Sequence, residues 1–321
     1  MGKAMPDPVK VSVIVAAYEA GDFIDKAIAS CLAQSEANFE VIIVDDASKV
    51  SLAGVVARAS GGDARVKFLR LETNSGPSGA RNRALDAATG TFIAVLDADD
   101  AMRPDRLARM LAVAEMNGAD IVVDNMLARR IDRQGRADET PFLNPQAIVD
   151  DLIIDLTTYV DPTSNQRFGQ PLGYLKPLVR RAALLDAGLR YDTDLTNSED
   201  YYFIAELLAR GAKMILTPYR GYEYTIQAGS ISHRLSPAQA AAIQTAERAF
   251  QARWFGGASP ALKRAGRRRL AQIRRDFQFE TLIGDLKRKH LLAFAGHALA
   301  FLPNAHRHIG KFAAIAWNRL G

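Results

Sequence analysis

Residues 95–100, Val-Leu-Asp-Ala-Asp-Asp, place three carboxylates at a spacing that suits a divalent cation. Asp97 and Asp99 stand two positions apart after an apolar run, and Asp100 follows directly. Mg²⁺ and Mn²⁺ prefer hard oxygen ligands and keep their other positions for water and phosphate oxygens, so such a site can hold a diphosphate. The structural alternative is an Asp-rich turn that caps the next helix, because Asp is a favoured N-cap residue.

A second segment could bind an anion. Residues 74–82, Asn-Ser-Gly-Pro-Ser-Gly-Ala-Arg-Asn, are typical of a turn of small residues that opens a helix. Helix N-termini attract anions, and Arg81 can add charge-assisted hydrogen bonds to a phosphate. The segment is not a P-loop, because no Gly-Lys-Ser/Thr follows at the required spacing. A glycine-rich turn without a ligand is the alternative.

Two adjacent acids, Glu199 and Asp200, come just before the aromatic pair at 201–202. A carboxylate in this position could take the proton from an attacking hydroxyl, which is the role of a general base. Consecutive residues do not share one face of a helix. We therefore expect one acid to be catalytic and the other to position it or its substrate, with helix capping as the alternative.

Short β-branched runs alternate with helical segments from residue 9 onward, which predicts an α/β fold with parallel strands. The predicted helices of the first half cover 22–34, 78–89 and 104–117, and its predicted strands cover 11–15, 39–44, 66–71, 91–96 and 121–123. In open α/β sheets, ligands bind beyond the carboxyl ends of the strands. The polar segments 16–19, 45–46 and 97–100 should therefore meet in one crevice.

The second half of the chain is less regular. Between 126 and 171 the periodicity weakens and four prolines interrupt short apolar pieces. Helices are predicted at 178–188 and 200–210, and a strand at 214–216. From 237 to the end the pattern is helical, with a break at 256–260, Gly-Gly-Ala-Ser-Pro.

Composition and charge limit the class of protein. The chain has 321 residues, a formal charge of +5 and one cysteine, Cys31, so it forms no internal disulfide and suits a reducing compartment. Residues 1–8 carry no apolar segment of the kind a secretory signal needs and are expected to be disordered or tag-derived. Between 263 and 289, ten Lys or Arg face three acids, an excess that suits nucleic acid, anionic lipid or an anionic substrate.

Five motifs in order resemble those of the family 2 glycosyltransferases of GT-A fold. They lie at 11–18, 44–48, 74–76 with 80–82, 96–100 and 198–200, and the resemblance covers about 9–234. It implies a Rossmann-like mixed central sheet flanked by helices, with a helical C-terminal extension. It also implies inverting transfer of a sugar from a UDP-sugar to an acceptor hydroxyl, with Mg²⁺ or Mn²⁺ as the cofactor.

The resemblance assigns roles to single residues on the donor side. It implies that Ala16 and Tyr18 line the nucleoside pocket and that Asp46 hydrogen-bonds the uracil ring. Asp97 would contact the ribose or sugar of the donor, and Asp99 would ligate the metal. Glu19 stands where members often have Asn, which makes it a candidate for local base recognition.

The remaining implied roles concern the acceptor side and a late loop. Asp200 would be the general base, supported by Glu199. Residues 222–224 and 229–233 look like the family's loop over the donor phosphates, with His233 as a metal or phosphate contact. Ala47 stands where members often have Gly.

The predicted organisation has three parts after the N-terminus. Residues 9–125 form the nucleotide-sugar-binding half, 126–235 the acceptor-binding and catalytic half, and 236–321 a basic amphipathic helical region. Residues 176–202 look most similar to bacterial exopolysaccharide enzymes that extend lipid-linked succinoglycan. A lipid-linked acceptor would explain the basic helices, which suit an anionic membrane surface. We expect a cytoplasmic protein, peripheral on the inner face of the membrane, although a helical cap with a solvated basic face is the alternative.

Two rival functions remain open at this point. A nucleotidyltransferase that makes the activated sugar usually has a Gly-rich turn with a cation after the first strand, whereas residues 17–21 are Ala-Tyr-Glu-Ala-Gly. A non-catalytic nucleic-acid-binding protein would show binding with steep salt dependence. The acids at the predicted crevice argue against such a partner, because a pure binder has no need of Asp99 and Asp200.

Overall fold

The computed structural model describes residues 9–131, 134, 136–227, 236–287 and 290. Its strands join one mixed sheet in the order β3-β2-β1-β4-β9-β6-β10-β5, with β7 on β6 and β8 on β10. The strands are β1 Val11–Ala17, β2 Phe39–Asp45, β3 Val66–Arg70, β4 Phe92–Val95, β5 Ala101–Met102, β6 Ile121–Ile131, β7 Ala137–Pro141, β8 Leu152–Ile154, β9 Leu178–Arg180 and β10 Met214–Gln227.

Ten helices alternate with the strands or follow them in the described chain. The helices are α1 Ile24–Leu32, α2 Ala53–Ser60, α3 Gly76–Ala87, α4 Arg106–Asn117, α5 Leu156–Val160, α6 Ser164–Phe168, α7 Arg181–Ala187, α8 Glu199–Ala209, α9 Pro237–Trp254 and α10 Pro260–Lys287. Short 3-10 turns lie at Pro145–Ala147 and Leu172–Tyr174. The predicted α/β class with a mixed sheet and C-terminal helices is confirmed.

The parallel part of the sheet follows from its apolar strands. β2 and β1 pair in parallel along their whole lengths, and β4 pairs with the other side of β1. All seven residues of β2 are buried. Strands covered on both faces are continuous in apolar residues rather than alternating. Since the three strands run the same way, their carboxyl ends meet at one edge of the sheet.

The helix predicted at 178–188 is wrong in its first three residues. Leu178–Arg180 form strand β9, which runs antiparallel between β4 and β6, and the helix α7 begins only at Arg181. Leu178 and Val179 are buried there. A short apolar run does not by itself distinguish a strand from a buried helical turn. Here 178–180 form a strand because they pair with the edges of both β4 and β6.

Other elements run longer than predicted or were not predicted. β6 continues to Ile131 and β10 to Gln227, because the two strands pair in parallel along most of their lengths. Residues 222–224, predicted as part of a loop over the donor, are therefore strand residues. Helix α2 was not predicted.

Contacts divide the chain into two compact units. The first comprises Met1–Tyr159 and Thr163–Ser230, and the second comprises Val160–Pro162 and Ile231–Gly321. In the second unit, a capping box at Ser236 and Gln239 begins α9. The fully buried Glu247 of α9 accepts a hydrogen bond from Arg269 of α10 at 2.9 Å. Within the described part of the chain, no helix combines the length and apolar character that a membrane span requires.

Candidate active site

The predicted donor-side residues lie at the carboxyl ends of β1, β2 and β4. Ala16 is half-buried near the end of β1, and Tyr18, which follows the strand, is 51% exposed. Asp46 follows β2 and is fixed to β1, since its N–H donates to the Ala17 carbonyl at 2.8 Å. Asp97 follows β4. The structure thus brings the three predicted segments to one edge of the sheet.

Asp46 is hydrogen-bonded to the residues at the N-terminus of α3. Its Oδ1 accepts a hydrogen bond from Ser75 N at 2.7 Å, and its carbonyl accepts one from Asn74 Nδ2 at 3.1 Å. Backbone N–H groups at a helix start favour an anion, and here a carboxylate of the protein takes that place. The contact of Asp46 with a uracil ring stays a prediction.

Three non-glycine residues in the described chain adopt positive φ, and all adjoin the predicted site. They are Glu19 at 52°, Ala47 at 57° and Ser198 at 68°. Such conformations cost free energy and concentrate at functional sites. Ala47 thus has the left-handed backbone conformation that favours Gly. Glu19 stabilises the same region, because its Oε1 accepts from Lys49 N at 2.7 Å and its N–H donates to Ser48 Oγ at 2.9 Å.

The acids at 97 and 199–200 converge through two cations. Arg81 Nη2 lies 3.0 Å from Asp97 Oδ1, and Arg81 Nη1 lies 2.8 Å from Glu199 Oε1 and 3.2 Å from Asp200 Oδ1. Lys176 Nζ lies 2.8 Å from Asp97 Oδ2 and 3.0 Å from Asp200 Oδ2. The predicted catalytic acids therefore share one network, in which the predicted phosphate ligand Arg81 is bound to carboxylates. A phosphate contact of Arg81 stays a prediction.

Burial and charge set the ionisation of this network. Burial opposes the charged form of Asp97, but Lys176 and Arg81 outweigh it and lower the pKa of Asp97 to about 2. Burial likewise opposes the charge on Lys176, but Asp200 and Asp97 raise its pKa above the usual value. Both cations thus stay charged and the Asp97 carboxylate stays ionised at neutral pH.

Asp99 and Asp100 differ from Asp97 in their surroundings. Asp100 is buried, where it accepts from the Tyr222 hydroxyl and from Thr225 N, both at 2.7 Å. Asp99 is exposed. The surrounding protein atoms partly desolvate both carboxyl groups, and this effect, followed by the negative charge of Asp97, raises the pKa of both. This end of β4 therefore carries negative charge that a bound cation would stabilise.

The acids at 97–100 and 199–200 do not cap helices, which was the structural alternative for both segments. Helix α4 begins at Arg106, after the N-cap residue Asp105, so 97–100 lie outside it. Glu199 and Asp200 belong to the first turn of α8, whose N-cap is Ser198. Their side chains turn to Arg81 and Lys176 instead of capping the helix.

The chemistry of the donor set fits a hard divalent cation. Mg²⁺ is commonly held by one or two carboxylates together with substrate phosphates. Asp99 offers an exposed carboxylate beside Asp97, in a place where negative charge is in excess. Across the described residues, no three His, Cys, Asp or Glu side chains form a complete protein cage. His233, the second predicted metal contact, lies outside the described residues, as do 229–232.

Lys176 is the site residue that the sequence did not predict. It immediately precedes Pro177, whose carbonyl accepts from Val95 N at 3.2 Å, and then β9. Because β9 runs antiparallel to β4, residues just before β9 lie beside residues just after β4. Assigning 178–180 to a helix concealed this neighbour of Asp97.

Comparison with known proteins places this site in a family. A model described as Glycosyl transferase family 2 matches residues 12–164. The succinoglycan biosynthesis protein ExoO of Rhizobium meliloti (strain 1021) is 36% identical to this chain over 311 residues, covering 97% of the chain and 86% of ExoO. The chain belongs to glycosyl transferase family 2. The predicted resemblance to exopolysaccharide glycosyltransferases is confirmed.

Two further proteins are similar to this family 2 glycosyltransferase. The UDP-Glc:alpha-D-GlcNAc-diphosphoundecaprenol beta-1,3-glucosyltransferase WfgD of Escherichia coli is 36% identical over 119 residues, covering 37% of the chain and 46% of WfgD. The crystal structure of S. aureus TarS 1-349 in complex with UDP-GlcNAc aligns with a TM-score of 0.61 at 18% identity, covering 92% of each chain. At this identity the likeness shows the fold, and the predicted GT-A fold is confirmed.

Proposed function

We propose that this family 2 glycosyltransferase moves a sugar from a UDP-sugar to an acceptor hydroxyl with inversion at the anomeric carbon. The observation that carries the proposal is the meeting of Asp97 and Asp200, which come from the end of β4 and the start of α8. The proposed donor agrees with the UDP-sugars named for WfgD and TarS. Ala16, Tyr18, Glu19 and Asp46 would bind the uridine from the ends of β1 and β2.

The proposed chemical step is a single displacement assisted by one general base. Asp200 accepts the proton of the acceptor hydroxyl, and the resulting oxygen forms a bond to the anomeric carbon. The bond from that carbon to the diphosphate oxygen breaks on the opposite face, and UDP leaves with the electron pair. A single displacement converts an α-linked donor into a β-linked product. Glu199 positions Asp200, because Arg81 Nη1 bonds both side chains.

The donor diphosphate requires positive charge as it leaves. Asp99 would hold a divalent cation, which would neutralise charge on the diphosphate oxygens. Asp97 would hold the ribose or sugar near its two cationic partners, with His233 as a second contact to metal or phosphate. Since Asp99 is exposed at the end of β4, it can reach a ligand without disturbing the buried bonds of Asp100.

We further propose a lipid-linked saccharide as the acceptor, in exopolysaccharide synthesis. ExoO is named for succinoglycan biosynthesis, and the name of WfgD gives a diphosphoundecaprenol acceptor. In α10, Arg264, Arg267 and Arg274 are exposed and spaced three and seven apart, so they lie on one face of the helix. Such a face would attract an anionic membrane at the cytoplasmic side, with each basic residue contributing about 1 kcal/mol.

A turnover assay tests the proposal directly. UDP-glucose and UDP-N-acetylglucosamine are offered with Mn²⁺ or chelator and with undecaprenyl-diphosphate-linked N-acetylglucosamine, and UDP release and the product's anomeric configuration are measured. Metal-dependent transfer to give a β-linked product from an α-linked donor supports the proposal. An α-linked product would contradict inversion, and undiminished turnover in chelator would contradict the role of the cation.

A vesicle assay tests the basic face of α10. The chain should sediment with vesicles containing phosphatidylglycerol and remain free with phosphatidylcholine alone. The triple change Arg264→Gln, Arg267→Gln and Arg274→Gln should weaken the sedimentation, because the attraction is electrostatic. Equal sedimentation of the variant would contradict this surface.

A further inference from the structure

Lys176 lies between two carboxylates that the proposed function assigns to different substrates. Its Nζ is 2.8 Å from Asp97 Oδ2, on the donor side, and 3.0 Å from Asp200 Oδ2, on the acceptor side. We propose that Lys176 is a positioning residue that fixes the spacing between the donor-binding carboxylate and the general base. The inference rests on the proposed function, since it needs Asp97 and Asp200 in those roles.

The backbone of Lys176 is itself held firmly. Its carbonyl accepts a hydrogen bond from Arg106 Nη2 at 2.6 Å, and Arg106 also pairs with Asp124 at 2.8 Å, with both of these side chains fully buried. The next carbonyl, that of Pro177, is bonded to Val95 N in β4. The base of the lysine is therefore attached to the strand whose end carries Asp97.

The side chain of Lys176 has little freedom to leave this position. It is only 10% exposed, and two of its three N–H donors are directed at the two carboxylates. Lysine usually keeps a flexible side chain at the surface, and ordering it costs conformational entropy. Here the fixed backbone and the two charge-assisted bonds offset that cost, so the ammonium group acts as a rigid spacer.

The charge balance predicts what happens without this lysine. Three acids, Asp97, Glu199 and Asp200, face two cations, Arg81 and Lys176. If Lys176 is replaced by an uncharged residue, Arg81 alone faces three carboxylates. The acids then repel one another and separate. A displaced base cannot accept the hydroxyl proton, whereas the nucleotide pocket at the ends of β1 and β2 is untouched.

This predicts a specific pattern of kinetic change. Displacing a reacting group by about 1 Å can cost about a hundredfold in rate. Lys176→Met should therefore lower kcat by about a hundredfold, while the Kd for UDP changes much less because Arg81 still pairs with Asp97. Lys176→Arg restores the charge with a longer, planar group, so it should recover part of kcat. A lysine that bound the donor diphosphate would instead change the Kd for UDP.

A matched control is available in the same unit. Lys213 is half-buried and donates from Nζ to the Asn117 carbonyl at 2.6 Å, before the start of β10. Its replacement by Met removes a partly buried lysine and one hydrogen bond without touching the acids. Lys213→Met should keep kcat, so it separates a general loss of packing from the loss of the spacer.

The experiment measures the wild type and the three variants Lys176→Met, Lys176→Arg and Lys213→Met. Calorimetry with Mn²⁺ gives the Kd for UDP, UDP release from the UDP-sugar turned over by the wild type gives kcat and KM, and thermal denaturation gives Tm. A kcat that falls much more than the UDP affinity in Lys176→Met, with partial recovery in Lys176→Arg, supports the proposal. If Lys176→Met does not fold, Lys176→Arg decides on the same criterion.

Two results overturn the inference in different ways. Wild-type kcat in a folded Lys176→Met or in Lys176→Arg, or a loss of kcat matched by an equal loss of UDP affinity, overturns the positioning role and leaves the proposed function standing. Absence of UDP binding and turnover in the wild type itself overturns the proposed function and the inference with it. The two failures are therefore distinguished by the wild-type measurement.

Discussion

The ends of β2 and β4 both carry consecutive aspartates, but the two pairs have opposite electrostatic situations. Burial opposes the charge on Asp45, but hydrogen bonds from Ser48, Leu52 and Arg70 outweigh it and lower its pKa. At β4, partial desolvation by the surrounding protein and then the charge of Asp97 raise the pKa of Asp99 and Asp100. The carboxylate at the end of β2 is thus stabilised by hydrogen bonds from the protein, whereas at the end of β4 three carboxyl groups lie close together and oppose one another's ionisation.

Aspartates at the ends of β2 and β4, the two strands that flank β1, therefore have different surroundings. Asp45 is fully buried and bonds the backbone N–H groups of the loop after β2, so it shapes that loop. Asp99 is exposed beside two other acids, so it can receive a ligand. Changes at the end of β2 should therefore affect stability and nucleotide affinity, and changes around the end of β4 should affect metal dependence and turnover.

The largest effect is expected for Asp200→Asn, which removes the proposed base from the β4 network. Asn keeps the shape of the side chain but cannot take up the proton, so kcat should fall by about a hundredfold to ten thousandfold. UDP affinity should be kept, as measured by calorimetry. Asp186→Asn, at an exposed position of α7, is the matched control and should retain wild-type turnover. Wild-type transfer by Asp200→Asn would contradict the assigned base.

At the end of β2, Asp45→Asn should reduce the free energy of unfolding by about 1–3 kcal/mol at pH 7, because the buried loop bonds lose a charged acceptor. A carboxyl group with a lowered folded-state pKa stabilises the fold above its unfolded pKa, and that contribution is lost as pH falls through the folded pKa. The difference between variant and wild type should therefore shrink as the pH is lowered below about 4. Denaturant titrations at several pH values measure it, and a difference independent of pH would contradict the account.

A smaller effect is expected for Asp46→Ala, which sharpens the contrast in metal dependence. Removing one charged hydrogen-bond acceptor should weaken UDP binding by about tenfold, or about 1.4 kcal/mol. The ratio of UDP affinities with and without Mn²⁺ should stay as in the wild type, because Asp46 belongs to the end of β2. Calorimetry measures this ratio. A changed ratio would contradict the proposal that only the end of β4 determines metal dependence.

The smallest effect is expected for Ala47→Gly. Gly relieves the positive φ of 57° at this position but increases the entropy of the unfolded chain, so the two effects largely offset each other. The free energy of unfolding should rise by less than about 1 kcal/mol, with unchanged turnover. A free energy of unfolding that falls by more than about 1 kcal/mol would exceed the entropic cost of Gly and would contradict this prediction.

Local patterns predicted the parallel half of the sheet because its strands are continuous apolar runs with clear helices between them. The polar segments at 45–46 and 97–100 were predicted to meet because parallel strands end at one edge, and the structure brings them there. Strand β9 was not predicted, since its identity depends on the open edges of β4 and β6 rather than on its own three residues. The position of Lys176 depends on that same long-range pairing.

The sequence also could not predict which acids bind protein cations. Asp97 and Asp99 stand two apart and look alike in the motif, yet Asp97 is bonded by Arg81 and Lys176 while Asp99 is exposed. Arg81 comes from α3 and Lys176 from the segment before β9, so the distinction arises only from tertiary contacts. The backbone of Ala47 was likewise not predictable, because this residue adopts a left-handed conformation although it is not Gly.

The central claim is that the end of β4 binds the donor through a cation at Asp99. Calorimetric titration of UDP and GDP into the wild type and Asp99→Ala, each with Mn²⁺ and with chelator, tests it most directly. The account predicts Mn²⁺-dependent UDP binding in the wild type that is lost in Asp99→Ala, with weaker binding of GDP. UDP affinity in Asp99→Ala that still rises with Mn²⁺ as in the wild type would contradict it.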